Sequence, residues 1–387
     1  MPDSPEVPEV PEAVREHLAL ALVPGLGPKL TAALLERFGS PAAARRATAA
    51  QLLDIPHIGE QTAGKLVAAM RTVDVEPELR LLARHGARAV PLGFPGYPAP
   101  LARVVAPPPL LYFRGEWSSA DANAVGIVGS RGCTQYGLRV AAQLARDLAR
   151  AGFTVVSGLA RGIDGAAHRA ALDAGGRTVA ALAGGLSKIY PPEHADLARE
   201  IEAGRGCLVS ETPMGMDPQP GMFPARNRII SGLSRAVIVV EANARSGALI
   251  TARHAAEQGR EVFAVPGPVD RAESAGCLEL LRGGARLVRS ADDVIEDLKG
   301  IAVADDPRPT LPKPAQTVAD TPAPEPAPLP LLSPELQRLY DALAEKRHAD
   351  ELSRELSLSV ADLSRALMQL ELKRLVRRLP GNFYERR

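Results

Sequence analysis

The chain has 387 residues, 46% of them hydrophobic and 24% charged, a balance that is ordinary for a globular protein of two or three domains. Its formal net charge is only +1, so no global charge indicates nucleic acid and any positive surface must be local. Three scattered cysteines argue against structural zinc, and no apolar run approaches the roughly 20 residues of a membrane span, so we expect a cytoplasmic protein without a metal.

The amino-terminal part of the sequence indicates a short tail and then a helical domain. Residues 1–12 alternate prolines with acids, which predicts disorder. Residues 13–75 contain a near repeat in which a glycine hairpin precedes an amphipathic helix, beginning near Pro28 or Glu60. The repeat resembles a tandem helix-hairpin-helix module, whose hairpin N–H groups contact DNA phosphates. A sterile-alpha-motif-like packing domain is the alternative, and Lys29 and Lys65 beside the hairpins favour DNA.

Residues 76–300 alternate predicted strands with predicted helices. The helices, such as 136–152 and 246–259, end in glycine. This alternation predicts an α/β domain, an extended Rossmann-like, doubly wound parallel sheet to which residues 110–117 add a further strand. Runs rich in valine, alanine and isoleucine place the main strands at 124–130, 153–158, 177–183, 206–210, 236–241 and 261–266.

Arginines and small residues recur in the turns beside these strands. The carboxyl ends of parallel strands share one edge of a sheet, where helix N-termini offer unpaired N–H groups to anions. The pattern therefore predicts a phosphate-binding groove along that edge. Its predicted cations are Arg131, Arg161, Arg226, Arg228 and Arg245. The small residues of the same turns, which belong to the groove, are Ser130, Gly158, Gly162 and Ser246.

The fingerprints of nucleotide-binding enzymes are missing from these turns. Gly126, Gly129 and Gly132 are spaced three apart, unlike G-x-G-x-x-G, and no G-x-x-x-x-G-K-[ST] occurs in the chain. Several arginines suit a polyphosphate chain better than a single cofactor. We therefore expect a nucleic-acid backbone as the ligand and no cofactor.

The carboxy-terminal part of the sequence indicates a tether and a small domain. Nine prolines between Pro307 and Pro330 predict that residues 301–331 form a semi-rigid linker. In residues 332–387 three helices are predicted, at 335–344, 348–357 and 359–374, followed by a hairpin around Pro380 and Gly381. This order is typical of a winged helix, with the third helix in the recognition position.

An ordered series of motifs runs through residues 90–300: GIVGSR (126–131), VSGLARGIDGAAH (156–168), GGLSKIYPPEH (184–194), FPARNRIISGLS (223–234) and VFAVPGP (262–268). The series resembles the DNA-processing protein A (DprA/Smf) family of bacterial recombination mediators. The resemblance implies a homodimer that binds single-stranded DNA through the sheet domain, and double-stranded DNA more weakly. It also implies loading of the RecA recombinase in natural transformation or DNA repair.

The resemblance assigns a DNA contact to the arginine of the G-S-R motif, which is Arg131 here. It assigns the F-x-x-R-N-R segment to Phe223, Arg226, Asn227 and Arg228. Some members of the family carry a lysine three positions before that phenylalanine, where this chain has Pro220.

The remaining candidates near the groove have a binding interpretation and a structural one. Phe223 either stacks a base, worth about 1–3 kcal/mol, or belongs to the core. Lys188 and Tyr190 follow the third strand and are expected near the groove, with Lys188 favoured. Three polar residues could suggest a hydrolase site: Ser157, Asp164 and His168. Because Ser157 does not stand in a G-x-S-x-G turn, structural roles are favoured for all three.

The segment CLELLRGG (277–284) is a candidate dimer contact. Its apolar stripe either faces the sheet or, as the resemblance implies, forms an interface; its residues are Cys277, Leu278, Leu280 and Leu281.

Two other functions compete with DNA mediation. A nucleotide-processing enzyme of the phosphoribohydrolase-like Rossmann class needs a P-G-G-x-G-T-x-x-E loop that residues 244–257 do not match, so no enzyme is expected. A transcription regulator acting through the winged helix would leave the arginine-lined sheet edge without a role.

Overall fold

The computed structural model describes residues 10–299, 334–343, 347–356, 358–372, 375–379 and 383–386. The chain divides into two compact units, Met1–Gln316 and Thr317–Arg387. The predicted tail, residues 1–12, lies outside the described residues except for its last three, and the predicted linker, residues 301–331, lies outside them entirely. None of the helices in the described ranges is long and apolar enough to cross a membrane.

The first unit begins with a helical region that has its own core. Its α2 and α5 start at Pro28 and Glu60, the positions predicted from the repeat. Buried leucines such as Leu34, Leu52 and Leu66 hold the region together. The helices are α1 Glu12–Ala21, α2 Pro28–Phe38, α3 Pro41–Arg45, α4 Ala49–Leu52, α5 Glu60–Thr72 and α6 Glu76–Arg84.

A nine-stranded sheet follows, and helices separate most of its strands. In chain order the elements are β1 Ala87–Pro91, α7 Ala99–Ala102, β2 Leu110–Gly115, β3 Ala124–Val128, α8 Gln135–Arg150, β4 Thr154–Ser157, α9 Ile163–Asp173, β5 Thr178–Ala181, α10 Ala195–Glu202, β6 Gly206–Ser210, α11 Met222–Leu233, β7 Ala236–Val239, α12 Ala248–Glu257, β8 Glu261–Ala264, α13 Ala275–Arg282, β9 Arg286–Leu287 and α14 Ala291–Leu298. The six strands predicted from apolar runs are all present, each within a few residues of its predicted bounds.

The strand order is β1-β2-β6-β5-β4-β3-β7-β8-β9. Strands β3 to β9 are parallel, which confirms the doubly wound sheet, and β1 and β2 extend one edge in antiparallel pairing. The chain builds outward from β3 through β4, β5 and β6 and then crosses to β7 on the other side of β3. This reversal between β3 and β7 is the topological switch point, where open α/β sheets bind their ligands.

Helices cover both faces of the sheet, so its central strands are buried on both sides. In β3, Val125 and Ile127 pack in the core that includes α8 and α9. Ala124 and Val128 point to the opposite core, which includes α11 and α12. Burial on both faces explains why these strands appear in the sequence as continuous apolar runs.

The second unit is a winged helix, as predicted. Its sheet has the order β10-β12-β11 with antiparallel pairing, and its core contains Leu339, Leu352 and Leu367. The predicted turn at Pro380 and Gly381 falls on residues outside the described ones. The elements are α15 Pro334–Ala342, β10 Arg347–His348, α16 Ala349–Leu356, α17 Val360–Leu372, β11 Val376–Leu379 and β12 Phe383–Arg386.

Candidate nucleic-acid interface

An open cleft of about 660 Å³ lies at the switch point of the sheet. Its walls are the turn after β3 (129–132), the loop after β7 (243–247) and the first turns of α11 and α12. Several predicted groove residues line it together: Ser130, Arg131, Phe223, Arg226, Asn227, Arg245 and Ser246. The structure therefore brings these predicted groove residues together in one cleft, and their contact with phosphate stays a prediction.

Two exposed arginines supply the free positive charge of the cleft. Arg131 follows β3 and Arg245 follows the neighbouring strand β7. Neither guanidinium forms an ion pair with any residue that the structure describes. Because no carboxylate neutralises them, both cations are available to an anionic ligand.

Phe223 is a partly exposed surface ring rather than a core residue. The Cζ atom of Arg131 lies 4.9 Å from the centre of the Phe223 ring, which is cation–π distance. On another side, the ring centroid of Tyr190 is 5.8 Å away at an interplanar angle of 58°. The phenylalanine therefore orients the guanidinium of Arg131 at the cleft.

Arg226 lies beneath the cleft floor and only 5% of its surface is exposed. Its Nη1 donates to the carbonyl oxygen of Gly158 at 2.7 Å and to that of Ala181, so it joins the ends of β4 and β5. Burial lowers its pKa to about 10, a value that leaves the guanidinium charged at neutral pH. The residue lines the groove as predicted, but its Nε and Nη1 donors are used by the fold.

Asp164 caps the turn after β4 and is buried close enough to Arg226 to interact with its charge. Its Oδ2 accepts hydrogen bonds from the N–H groups of Gly158, at 3.1 Å, and Ala160, at 3.4 Å. Burial raises the pKa of Asp164, and the charge of Arg226 acts in the opposite direction. The amides predicted to face a phosphate at this turn are thus bound to a carboxylate of the protein.

The N-terminus of α8 is closed in a similar way. Buried Glu241 accepts from the N–H of Thr134 at 2.8 Å and from its hydroxyl, and the Thr134 hydroxyl in turn accepts from the N–H of Gly137. A Cβ on Gly137 would lie 2.5 Å from the Glu241 carboxylate, so only glycine fits there. A carboxylate thus occupies the place beside a helix N-terminus where Rossmann proteins hold phosphate. This corrects the prediction for α8, whereas the first turns of α11 and α12, which have no side-chain cap, still line the cleft.

Gly162 allows the turn after β4 to pack against the turn after β3. Its φ is +75°, a left-handed value that favours glycine, and an added Cβ would lie 2.5 Å from the carbonyl oxygen of Ser130. Gly158 is also constrained, because a Cβ there would collide with the guanidinium of Arg226. These two predicted glycines shape the site and do not line the central cleft.

Three predicted cations lie outside the central cleft. Arg161 pairs with Glu193, and Lys188 pairs with Asp217 at 3.1 Å; these side chains remain largely exposed. Arg228 turns away from the cleft, pairs with Glu211 and donates to the carbonyl oxygen of Ala106 at 3.2 Å. The placement of Arg228 corrects the prediction that it lies on the groove, and it follows from the helical period, which turns neighbouring residues of α11 to different sides.

The polar trio near β4 does not assemble as a nucleophile and base. The Ser157 hydroxyl donates to the carbonyl oxygen of Ile127 at 2.6 Å. His168 is fully buried, and its Nδ1 lies 2.7 Å from the Thr178 hydroxyl, which itself donates to a strand carbonyl. Burial lowers the pKa of His168 to about 3, so the ring is neutral. Ser157 and Asp164 lie near each other but His168 is bound to Thr178 instead, which fits the structural roles favoured from the sequence.

A larger cavity of about 770 Å³ lies between the helical region and the sheet. The first glycine hairpin (23–28) forms one wall, and the ends of β5 and β6 form the other. Its lining is mostly apolar and includes the carboxyl groups of Glu78 and Glu211. Burial raises the pKa of Glu78. Arg226, which also lines the cavity, is buried, so this mostly apolar cavity offers a phosphate less positive charge than the cleft does.

The predicted dimer segment coincides with α13 near the edge strand β9. Cys277 is buried in the sheet core, where its thiol lies 3.6 Å from the carbonyl oxygen of Val239, and burial raises its pKa to about 11. This corrects its assignment to an interface, because a core side chain cannot reach a partner. Leu278, Leu280 and Leu281 are half-buried, and the last two pack on the core.

Some residues of the site were not identified from the sequence. Asn243 and Thr251 line the cleft, and Glu241 caps α8 from behind it. Glu241 and Asn243 stand in the motif VVEANARSG, so their place after a strand was a usable signal. In the described ranges, no group of three or more histidine, cysteine or acidic side chains is placed to hold a metal.

The fold and the site define a class: a Rossmann-like protein with a cationic cleft at its switch point and two accessory modules of kinds found in DNA-binding proteins. Residues 89–299 match the family DNA recombination-mediator protein A, residues 322–382 the DprA winged helix domain, and residues 18–72 the SAM-like helix-hairpin-helix tandem. The chain belongs to the DNA recombination-mediator protein A family.

Several relatives match over most of their length. Protein Smf of Synechocystis sp. is 36% identical over 394 residues, which cover 96% of this chain and 98% of that protein. The DNA processing protein DprA of Bacillus subtilis is 41% identical, over 64% of this chain and 85% of its own. The X-ray structure of DprA from Streptococcus pneumoniae superposes with a TM-score of 0.64 at 32% identity and covers 75% of this chain and 98% of its own.

Proposed function

We propose that the protein binds single-stranded DNA along the cleft and loads RecA onto that strand, in the cytoplasm and as a homodimer. Double-stranded DNA binds more weakly, and the protein acts by binding, without catalysis of its own. Both natural transformation and DNA repair generate the strand that this function requires. The membership of the family of recombination mediators supports the assignment.

One observation carries the proposal: Arg131, oriented on Phe223, and Arg245 line the same cleft, while carboxylates close the amide sites at the start of α8 and at the turn after β4. An exposed guanidinium group suits a phosphate because its planar set of N–H donors matches the geometry of the phosphate oxygens. A closed amide site removes the specific contact that a mononucleotide or dinucleotide needs. The arrangement therefore suits a repeating phosphate backbone with unpaired bases.

The test compares binding of labelled single- and double-stranded oligonucleotides across a salt titration. Arg131→Ala and Arg245→Ala should each weaken single-strand binding and reduce the slope of log K against log salt by roughly 0.7 per lost phosphate contact. Arg150→Ala is the matched control, because Arg150 is an exposed arginine at the far end of α8. Unchanged affinity and slope in both cleft variants would refute the proposal.

RecA loading needs its own experiment. The protein should shorten the lag of RecA filament assembly on single strands, and Arg131→Ala should abolish this effect at concentrations where DNA binding is lost. A truncated chain that ends at Asp306 keeps the whole described sheet and should still bind single strands. If the truncated chain binds no DNA, the winged helix is the main DNA site and the cleft assignment fails.

A further inference from the structure

The surface beside the cleft carries a second aromatic ring, which belongs to Tyr190. The loop between β5 and α10 brings this ring to 5.8 Å from the ring of Phe223, centroid to centroid. The two rings and Lys188 line one small recess together with Gly158 and Arg226. The aromatic surface therefore continues from the cleft toward the β5–α10 loop.

The two rings differ in how much of their surface is free. Phe223 contacts Arg131 at cation–π distance and Tyr190 at a tilt of 58°, so two neighbours cover it in part. Tyr190 is 43% exposed, and its hydroxyl makes no hydrogen bond with any residue that the structure describes. Tyr97 differs, with a half-buried ring that packs on the sheet core and a hydroxyl that donates to the carbonyl oxygen of Pro108 at 2.7 Å. Packing and hydrogen bonding therefore do not explain the exposure of Tyr190.

The charges around Tyr190 suit a strand that passes over it. Lys188 lies two residues before the ring, and its pair with Asp217 is largely exposed. Exposed pairs of this kind are weak, so a phosphate can replace the aspartate. Arg131 stands on the other side of Phe223. An aromatic step flanked by cations is the pattern by which proteins hold single strands without reading their sequence.

We propose that Tyr190 is a base-stacking residue, so that a strand bound in the cleft continues over Phe223 and stacks a base on the exposed face of Tyr190, with the adjoining phosphate near Lys188. This assignment rests on the proposed binding of single-stranded DNA. The two rings then have different roles. Phe223 orients Arg131 and supports Tyr190, and Tyr190 presents its exposed ring face to a base.

The experiment measures affinity for an oligothymidylate and for an abasic chain of the same length, by fluorescence anisotropy with the full-length protein. Tyr190→Leu keeps an apolar side chain and removes the π face, and Tyr190→Phe is the matched control. Tyr190→Leu should weaken oligothymidylate binding about 5- to 150-fold, leave abasic-chain binding unchanged and preserve the salt slope. Tyr190→Phe should stay within about twofold of the wild type.

Two results would overturn the assignment of Tyr190 alone. The first is an unchanged affinity of Tyr190→Leu for oligothymidylate, and the second is an equal loss on both chains, which would mean that the ring only supports its neighbours. A wild-type protein that binds neither chain would instead overturn the proposed function, and this assignment with it.

Discussion

Replacing Arg226 by alanine is expected to damage the fold before it affects any DNA contact. The change removes hydrogen bonds to the carbonyl oxygens of Gly158 and Ala181 and leaves the buried Asp164 without the positive charge that offsets it. Removing one of two buried, opposite charges leaves the other uncompensated, which costs about 3–5 kcal/mol where the two groups form an ion pair, and we take this range as the upper estimate here. Because whole domains are stable by only about 5–15 kcal/mol, this loss is a large fraction of the total.

The assay is urea unfolding followed by tryptophan fluorescence. Trp117 is the single tryptophan of the chain, and it packs partly against the sheet core, so its emission reports on the domain that holds Arg226. The unfolding midpoint of Arg226→Ala should fall by the equivalent of up to about 3–5 kcal/mol. Arg131→Ala is the control and should stay within about 0.5 kcal/mol of the wild type, because Arg131 is exposed.

A double variant tests the stated cause. Adding Asp164→Asn to Arg226→Ala should recover part of the lost stability, since an amide needs no opposing charge. The reasoning is refuted if Arg226→Ala unfolds at the wild-type urea concentration and yet binds single strands with a reduced salt slope. That result would mean that its guanidinium reaches a phosphate directly.

Three further predictions concern pH, turn geometry and assembly. Burial lowers the pKa of His168 to about 3, whereas the pKa in the unfolded chain is about 6.5, so between these values only the unfolded chain takes up the proton. The free energy of unfolding should therefore fall by about 2 kcal/mol from pH 7.5 to pH 5, and it should fall less in His168→Gln. Gly162→Ala should cost about 1–3 kcal/mol in urea unfolding and weaken single-strand binding, because its Cβ displaces the turn that holds Arg131; unchanged binding would contradict this coupling. Leu278→Glu should give monomers in sedimentation with native circular dichroism, and a persistent dimer would place the interface elsewhere.

The architecture was predictable because its signals are local. Continuous apolar runs identify strands buried on both faces, and glycines mark the hairpins before Pro28 and Glu60. The edge strands β1 and β9 were not identified individually; β9 has only two residues, both exposed, so it carries no apolar pattern. Pairing at a sheet edge depends on neighbours distant in sequence.

The site was predictable in composition but not in orientation. Arg131 lies in the turn after β3, and Arg226 and Arg228 lie in α11. One of these arginines is exposed at the cleft, one is buried under it and one pairs with Glu211. Those partners come from other strands and loops, so no local pattern reveals them. Cys277 shows the same limit, because a helical apolar stripe does not indicate whether it meets the sheet or another subunit.

The carboxylates of Glu241 and Asp164 have a consequence for competition inside a cell. Free nucleotides are abundant in cells. An open amide site at a helix N-terminus would therefore be occupied by their phosphates for much of the time. With those two sites closed by the protein's own side chains, a lone nucleotide loses two of the amide contacts that Rossmann proteins give to a phosphate. We therefore expect free nucleotides to compete poorly with a DNA strand for the cleft, so that changes in nucleotide pools affect DNA binding little.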